Sequence, residues 1–148
     1  DLAIGGGRDY PKADDARAAF VSGLAKTLGV DAARATLLFE RYGTSATALK
    51  EAFANGGSAP LYSLPHYSKG EIVHICATEN VCRLADLLLR RTAVTMEGLL
   101  SDAAIRETAD IAAPVLGWNT ARRDAEIAFA AEEMSRRNVR NTRPQKAV

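Results

Sequence analysis

The chain has 148 residues and a mass of 15.8 kDa, enough for one domain or two very small ones. Its 47% hydrophobic and 25% charged residues argue against a chain that is disordered throughout, and its net charge of +1 argues against a strongly basic nucleic-acid binder. No apolar run approaches the roughly 18 residues of a membrane span. The sequence opens without Met or a signal peptide, so we interpret it as a fragment or processed product of a longer protein.

The first segment, residues 1–12, is predicted to be a linker, because Gly5-Gly6-Gly7 and Pro11 disfavour regular structure. A helix is predicted from Asp14 to Leu28, and Gly29 directly after it is a typical helix stop.

The second predicted helix begins after Asp31, a good N-cap residue, and ends at Gly43. Its apolar residues recur with helical spacing: Ala35, Leu38, Phe39 and Tyr42. A short third helix is predicted from Thr44 or Ser45 to Ala54.

Residues 55–67 are predicted to form a loop, because two glycines and two prolines interrupt them. Its apolar residues are expected to hold the loop against the protein body: Leu61, Tyr62, Leu64 and Tyr67. Ser68 and Glu71 have the spacing of a capping box, which predicts a helix from there to about Ala77.

A further helix is predicted from about Glu79 to Arg91. Its core-facing residues have helical spacing: Val81, Leu84, Ala85 and Leu88. Two acid-before-base pairs four residues apart, Glu79 with Arg83 and Asp86 with Arg90, favour the same helix.

The last two predicted helices begin at Ser101 and at Asn119 or Thr120, and the second of them reaches about Asn138. Pro114 is expected to bend the first of them or end it early. The sum is six or seven helices, which predicts an all-α fold and a single compact bundle-like domain over residues 13–138.

Residues 139–148 are predicted to be a basic flexible tail, because five basic residues and no acid follow Met134. An anionic lipid surface is the alternative partner for such a tail.

The sequence shows no familiar catalytic, cofactor-binding or metal-binding pattern. Cys76 and Cys82 are six residues apart and are predicted to be small buried hydrophobic residues, with no metal site. His74 is predicted to be a satisfied or half-exposed helical residue, and His66 to be a solvated loop residue. We therefore assign no catalytic, cofactor or metal residue to this chain.

One segment carries a more specific pattern, in which an aromatic residue and three spaced acids precede Arg-Arg-Thr. Its members are Tyr67, Glu71, Glu79, Asp86, Arg90, Arg91 and Thr92. With weaker flanking signals, this segment resembles the C-terminal domain of FAD-dependent glycerol-3-phosphate dehydrogenases and alpha-glycerophosphate oxidases.

The resemblance implies a longer parent enzyme that oxidises sn-glycerol 3-phosphate to dihydroxyacetone phosphate. Electrons would pass through FAD to quinone in a dehydrogenase, or to oxygen in an oxidase. FAD and substrate would bind an upstream flavin domain, and this chain would be a helical cap on that domain that binds no cofactor. A cytoplasmic location is implied, with the parent peripheral on the inner membrane.

Within the motif, we expect Arg90 and Arg91 to have an interface or scaffold role, with Asp86 orienting Arg90. Glu71 and Glu79 are expected to fix the turn between two motif helices. A competing hypothesis is that one of the arginines reaches the substrate phosphate.

Two other functions fit a helical chain of this size. A helix-turn-helix DNA-binding module would use residues 71–77 and 79–91, but the second helix begins with few polar or basic residues that could read bases. A stand-alone helical adaptor for a protein partner is the second alternative to an enzyme domain.

Overall fold

The structure of the protein is a computed structural model that describes Gly7 and residues 9–137. Within these residues every regular element is helical, and the only strand-like feature is an isolated bridge between Pro60 and Ser68. The predicted all-α class is confirmed. The predicted tail over residues 139–148 lies outside the described residues, as does most of the predicted linker over residues 1–12.

The chain divides into two compact units, Asp1–Ser58 and Ala59–Val148. Each unit has its own buried hydrophobic cluster. The single domain over residues 13–138 stays a prediction. Among the described residues, no helix combines the length and the apolar character needed to span a membrane.

The first unit begins with helix α1 (Asp14–Leu28), which has the predicted bounds and ends at Gly29 with a φ of 65°. Helix α2 (Ala32–Tyr42) follows, and the Asp31 carboxylate accepts a hydrogen bond from the Arg34 N–H at 2.7 Å, as expected of an N-cap. Of the predicted apolar residues of α2, Ala35, Leu38 and Phe39 are buried and Tyr42 is partly buried. The buried cluster of this unit consists of Leu24, Leu28, Leu38, Phe39, Ala46, Leu49 and Phe53.

The predicted third helix is mostly a 3₁₀ helix over Gly43–Leu49, followed by the short helix α3 (Lys50–Phe53). Its hydroxyl residues explain the difference. The Thr47 hydroxyl donates to the Thr44 carbonyl oxygen at 3.1 Å, and such local side-chain bonds compete with the α-helical pattern.

The second unit contains helix α4 (Lys69–Thr78), the short helix α5 (Leu84–Asp86), helix α6 (Asp102–Val115) and helix α7 (Thr120–Arg136). A π-helical turn over Leu87–Arg91 continues directly from α5. The second core is built on these elements and on six residues between or before them: Leu61, Leu64, Tyr67, Val81, Val94 and Leu100.

Helices α6 and α7 begin as predicted. The Ser101 hydroxyl accepts from the Ala104 N–H at 3.2 Å, and the Asn119 side chain accepts from the Arg122 N–H at 2.8 Å. Helix α6 includes Pro114 and ends one residue later, at Val115, so the proline does not shorten it as expected.

The predicted helix from Glu79 to Arg91 is wrong in its first half. Glu79 and Arg83 both have extended backbone, with ψ angles of 141° and 154°, and the helix begins only at Leu84. The predicted pair between Glu79 and Arg83 is therefore not formed. Asn80, Val81 and Cys82 have poor helix propensity, so little local energy opposes the extended path.

Two burial predictions are also wrong. Cys76 is buried in α4, but Cys82 is exposed on the extended stretch before α5. In the loop of residues 55–67, Leu61, Leu64 and Tyr67 are buried as expected, whereas Tyr62 is 94% exposed. Tyr62 lies between the inward-facing Leu61 and Ser63, and this alternation of an extended chain turns its ring outward.

Candidate functional site

The candidate site is the motif segment, residues 67–92, and it begins with a buried tyrosine. The Tyr67 side chain has no exposed surface, and its hydroxyl oxygen accepts a hydrogen bond from the Ala93 N–H at 2.8 Å. Its backbone carbonyl oxygen accepts from the Leu61 N–H at 2.9 Å. Tyr67 thus joins the loop before α4 to the residue that follows Arg-Arg-Thr.

Glu71 closes the start of α4. Its carboxylate accepts from the Ser68 N–H at 2.8 Å and from the Ser68 hydroxyl at 2.9 Å, and the two residues form the predicted capping box. Both side chains are fully buried. Glu71 therefore lies at the opposite end of α4 from the turn that it was expected to fix.

Glu79 and Arg91 form the contact that spans the middle of the motif. Glu79 is the first residue after α4 and Arg91 is the last residue of the π turn, and their charged atoms are 2.8 Å apart. Their side chains are 36% and 40% exposed, so the pair is only partly screened by solvent. This ion pair joins the end of α4 to the end of the π turn and so brings together the two ends of the segment that contains the extended stretch and α5.

Asp86 and Thr92 cap the two ends of the helical run formed by α5 and the π turn. The Asp86 carboxylate accepts from the Arg83 N–H at 3.1 Å at the start of α5. At the other end, the Thr92 hydroxyl donates to the carbonyl oxygens of Leu87 and Leu88, both at 3.2 Å. These side chains satisfy backbone groups that the ends of a helix leave unpaired.

Arg90 differs from Arg91 in its exposure. It is 75% exposed, and its nearest carboxylate oxygen, on Asp86, is 3.8 Å away. Such an exposed pair contributes little to stability. Asp86 is therefore close enough to orient Arg90 weakly, and the guanidinium remains accessible to solvent.

The structure adds a cluster that the motif pattern does not contain. Glu126 of α7 is fully buried, and its carboxylate lies 3.2 Å from the Arg83 guanidinium and 2.8 Å from that of Arg122. The same carboxylate accepts from the Leu84 N–H at 3.0 Å. The Arg83 guanidinium also lies over the Phe129 ring, 3.6 Å from its centre. We call Arg83, Arg122, Glu126 and Phe129 the buried glutamate cluster.

Sequence reasoning missed this cluster because Arg83 was assigned to a helical pair with Glu79. The partners Arg83 and Glu126 are 43 residues apart, and no local pattern joins them. Only Arg122 and Glu126, four residues apart on α7, had a spacing that predicts a contact.

The described residues do not fit a flavin or a metal ion. A dinucleotide site needs a strand that leads through a glycine-rich turn into a helix, and no strand is formed between residues 9 and 137. No group of three or more His, Cys, Asp or Glu side chains in that range has metal-binding geometry. His74 is half-buried within α4 and His66 is exposed.

The helix-turn-helix alternative needs a second helix that begins near Glu79. Since the helical run of α5 and the π turn begins only at Leu84, this part of the chain does not present such a helix.

The model of the family described as the C-terminal domain of alpha-glycerophosphate oxidase matches residues 1–123. The chain belongs to this family. The whole motif segment lies within the match, whereas Glu126 and Phe129 lie beyond it.

Similar curated proteins carry the name of a dehydrogenase. Glycerol-3-phosphate dehydrogenase 2 of Mycobacterium tuberculosis and that of Mycobacterium bovis are each 35% identical over 106 residues, which cover 68% of this chain and 18% of the relative. Glycerol-3-phosphate dehydrogenase of Mycobacterium leprae is 38% identical over 74 residues, which cover 47% of this chain and 12% of the relative. No solved structure matches the chain.

The chain thus corresponds to less than a fifth of the length of these dehydrogenases, and it is similar to their C-terminal portion.

Proposed function

We propose that this chain is the C-terminal accessory domain of an enzyme that oxidises glycerol 3-phosphate to dihydroxyacetone phosphate. The family match over residues 1–123 carries this proposal, and the names of the mycobacterial relatives support it. FAD bound by the upstream domain would accept the electrons and pass them to quinone. We place the parent enzyme in the cytoplasm, in peripheral contact with the inner membrane.

The chain's own residues fit an accessory role. The motif side chains satisfy backbone groups or pair with one another, and none of them forms a nucleophile and base pair. We propose that the motif segment holds the chain between α4 and α6 in one conformation for contact with the upstream domain.

The test uses the full-length protein that contains this chain. We expect it to retain flavin and to reduce a soluble quinone analogue when glycerol 3-phosphate is added, with little consumption of oxygen. Rapid oxygen consumption would instead favour an oxidase. If the protein neither binds flavin nor oxidises glycerol 3-phosphate, the enzyme proposal is wrong and the adaptor alternative replaces it.

The two motif arginines are expected to behave differently in that enzyme. R91A breaks the pair with Glu79 and should lower the free energy of unfolding by about 0.5–1 kcal/mol, because the pair is partly exposed. R90A should change stability by less than about 0.5 kcal/mol, as is usual for surface substitutions.

Steady-state kinetics separate this expectation from the phosphate hypothesis. If either arginine reaches the substrate phosphate, its alanine variant raises the KM for glycerol 3-phosphate and leaves the urea unfolding midpoint unchanged. An unchanged KM in both variants supports scaffold and interface roles.

A further inference from the structure

A groove of the second unit contains none of the Arg-Arg-Thr residues. It has a volume of about 700 Å³ and lies between residues 59–63, α4 and α6. Its lining is mainly apolar and includes Pro60, Leu61, Val73, Ile111, Pro114 and Val115. The cavity beside Arg90 is smaller, about 310 Å³, and five of its eight lining residues are charged. Since the centre of a stable interface is depleted in charged residues, the larger groove is the better docking surface.

Tyr62 stands at the edge of this groove with 94% of its surface exposed. Its backbone is held in place, because the Glu107 carboxylate accepts from the Tyr62 N–H at 2.8 Å and from the Ser63 N–H at 2.7 Å. The same carboxylate accepts a short hydrogen bond from the Ser63 hydroxyl. The aromatic ring is thus presented to solvent on a fixed backbone, as in an interface anchor that needs little ordering on binding.

The electrostatics of Glu107 support this fixed arrangement. Burial alone raises the pKa of Glu107, but the hydrogen bonds from the Ser63 side chain, the Ser63 N–H and the Tyr62 N–H outweigh it and lower the pKa below its usual value. The charged form that holds the loop is therefore the stable form at neutral pH.

The charges at the groove edge indicate the chemistry of the occupant. Asp110 is paired with Arg123 at 3.1 Å, and Glu107 is engaged with the loop. Lys69 and Arg106 are exposed and form no ion pair within residues 9–137. The lining carries equal numbers of acidic and basic groups, but both carboxylates are already bonded within this unit. Lys69 and Arg106 are therefore the charged groups of the groove that can meet the acidic side chains of an apolar segment.

We propose that this groove is the surface on which the upstream domain of the same polypeptide docks, through an apolar segment flanked by Asp or Glu, with Tyr62 as the anchor. The proposal rests on the accessory-domain function. The comparisons support this occupant, because more than four-fifths of the length of the similar dehydrogenases lies outside the matched portion. An interface of standard size buries about 800 Å² on each partner, so the groove would be its centre rather than its full extent.

The experiment places a photo-crosslinking residue, p-benzoylphenylalanine, at position 62 of the full-length protein. The matched control carries the same residue at Met96, which is 89% exposed and does not line the groove. Both positions are exposed, so neither probe should disturb folding. After irradiation, the crosslinked peptides are identified by mass spectrometry.

We expect position 62 to crosslink to an upstream peptide of the same polypeptide that contains Asp or Glu, with at least a several-fold higher yield than position 96. Crosslinks from position 62 only to a second copy would overturn the proposal in favour of an interface between copies. A yield from position 62 no higher than that from position 96 would also overturn it.

A charge-reversal variant tests the acidic flank. K69E/R106E should lower the crosslinking yield from position 62 several-fold, whereas K50E, an exposed lysine of the other unit, should leave it unchanged. Equal crosslinking yields in K69E/R106E, in K50E and in the protein without either change would contradict the acidic flank.

Flavin retention and glycerol 3-phosphate oxidation distinguish the two proposals. Crosslinks from position 62 to the upstream peptide, in a protein without that activity, support the docking surface and reject the enzyme function. An active enzyme without those crosslinks keeps the function and rejects the groove.

Discussion

At the starts of α4 and α5, side-chain carboxylates accept hydrogen bonds from backbone N–H groups, but the acceptors lie at different distances along the chain. At α4, Glu71 accepts from the N–H of Ser68, three residues before it. At α5, Asp86 accepts from the N–H of Arg83 in the same way, but the Leu84 N–H donates to Glu126, 42 residues away. The first start was predicted from the sequence and the second was misplaced, because a local pattern cannot supply a distant acceptor.

The largest expected effect comes from removing the distant acceptor. E126L leaves the Leu84 N–H and two arginines without their carboxylate, and it should lower the free energy of unfolding by about 3 kcal/mol. The control is E132Q, an exposed glutamate of the same helix, which should change it by less than about 0.5 kcal/mol. Urea unfolding followed by circular dichroism measures both, and equal stabilities would mean that α5 does not depend on Glu126.

The matching change at the local start is E71A. It removes the acceptor for the Ser68 N–H and hydroxyl inside the protein and should cost about 2 kcal/mol. E71Q keeps an acceptor oxygen and should cost less than E71A. If E71A is more destabilising than E126L, the local cap rather than the distant one dominates the stability of this unit.

Y67F removes another distant contact while keeping the buried ring. The Ala93 N–H loses its acceptor, 26 residues away, and we expect a loss of about 1 kcal/mol. Y62F is the matched control, because that side chain is 94% exposed, and it should leave the unfolding midpoint unchanged. Equal midpoints for both variants would contradict the Tyr67 hydrogen bond.

The smallest perturbation is a thiol reaction, which tests the extended stretch before α5. Cys82 is exposed, whereas burial raises the pKa of the Cys76 thiol to about 11. At pH 8 only about one in a thousand Cys76 thiols is then ionised. We expect one thiol per native chain to react with a disulfide reagent, and the second only after unfolding in urea. Two fast thiols in the native protein would contradict the burial of Cys76.

The sequence predicted the elements whose signals lie within one turn of the chain. The bounds of α1, the Asp31 cap of α2 and the Ser68–Glu71 box all follow from residues at most four positions apart. The 3₁₀ helix after Gly43 was not predicted, because helical periodicity does not register competition from side-chain hydroxyls.

The candidate site divides in the same way. The motif residues were identified by resemblance, but the assigned partners were wrong wherever the chain left the assumed helix. Arg83 pairs with Glu126 instead of Glu79, and Glu79 pairs with Arg91. Tyr62 was expected to be buried as one of the apolar residues of the loop, but its extended backbone, which Glu107 holds from 45 residues away, turns the ring to solvent.

The distance between Leu84 and Glu126 also sets an order of events during synthesis. Ser68 and Glu71 can meet as soon as both have left the ribosome. The N–H of Leu84 must wait for 42 further residues, which takes seconds at ordinary elongation rates. In the nascent chain the Arg-Arg-Thr segment of this unit is therefore late to form its contacts. A ribosome that stalls before residue 126 holds a chain in which α4 is capped, whereas the Leu84 N–H at the start of α5 still lacks its acceptor.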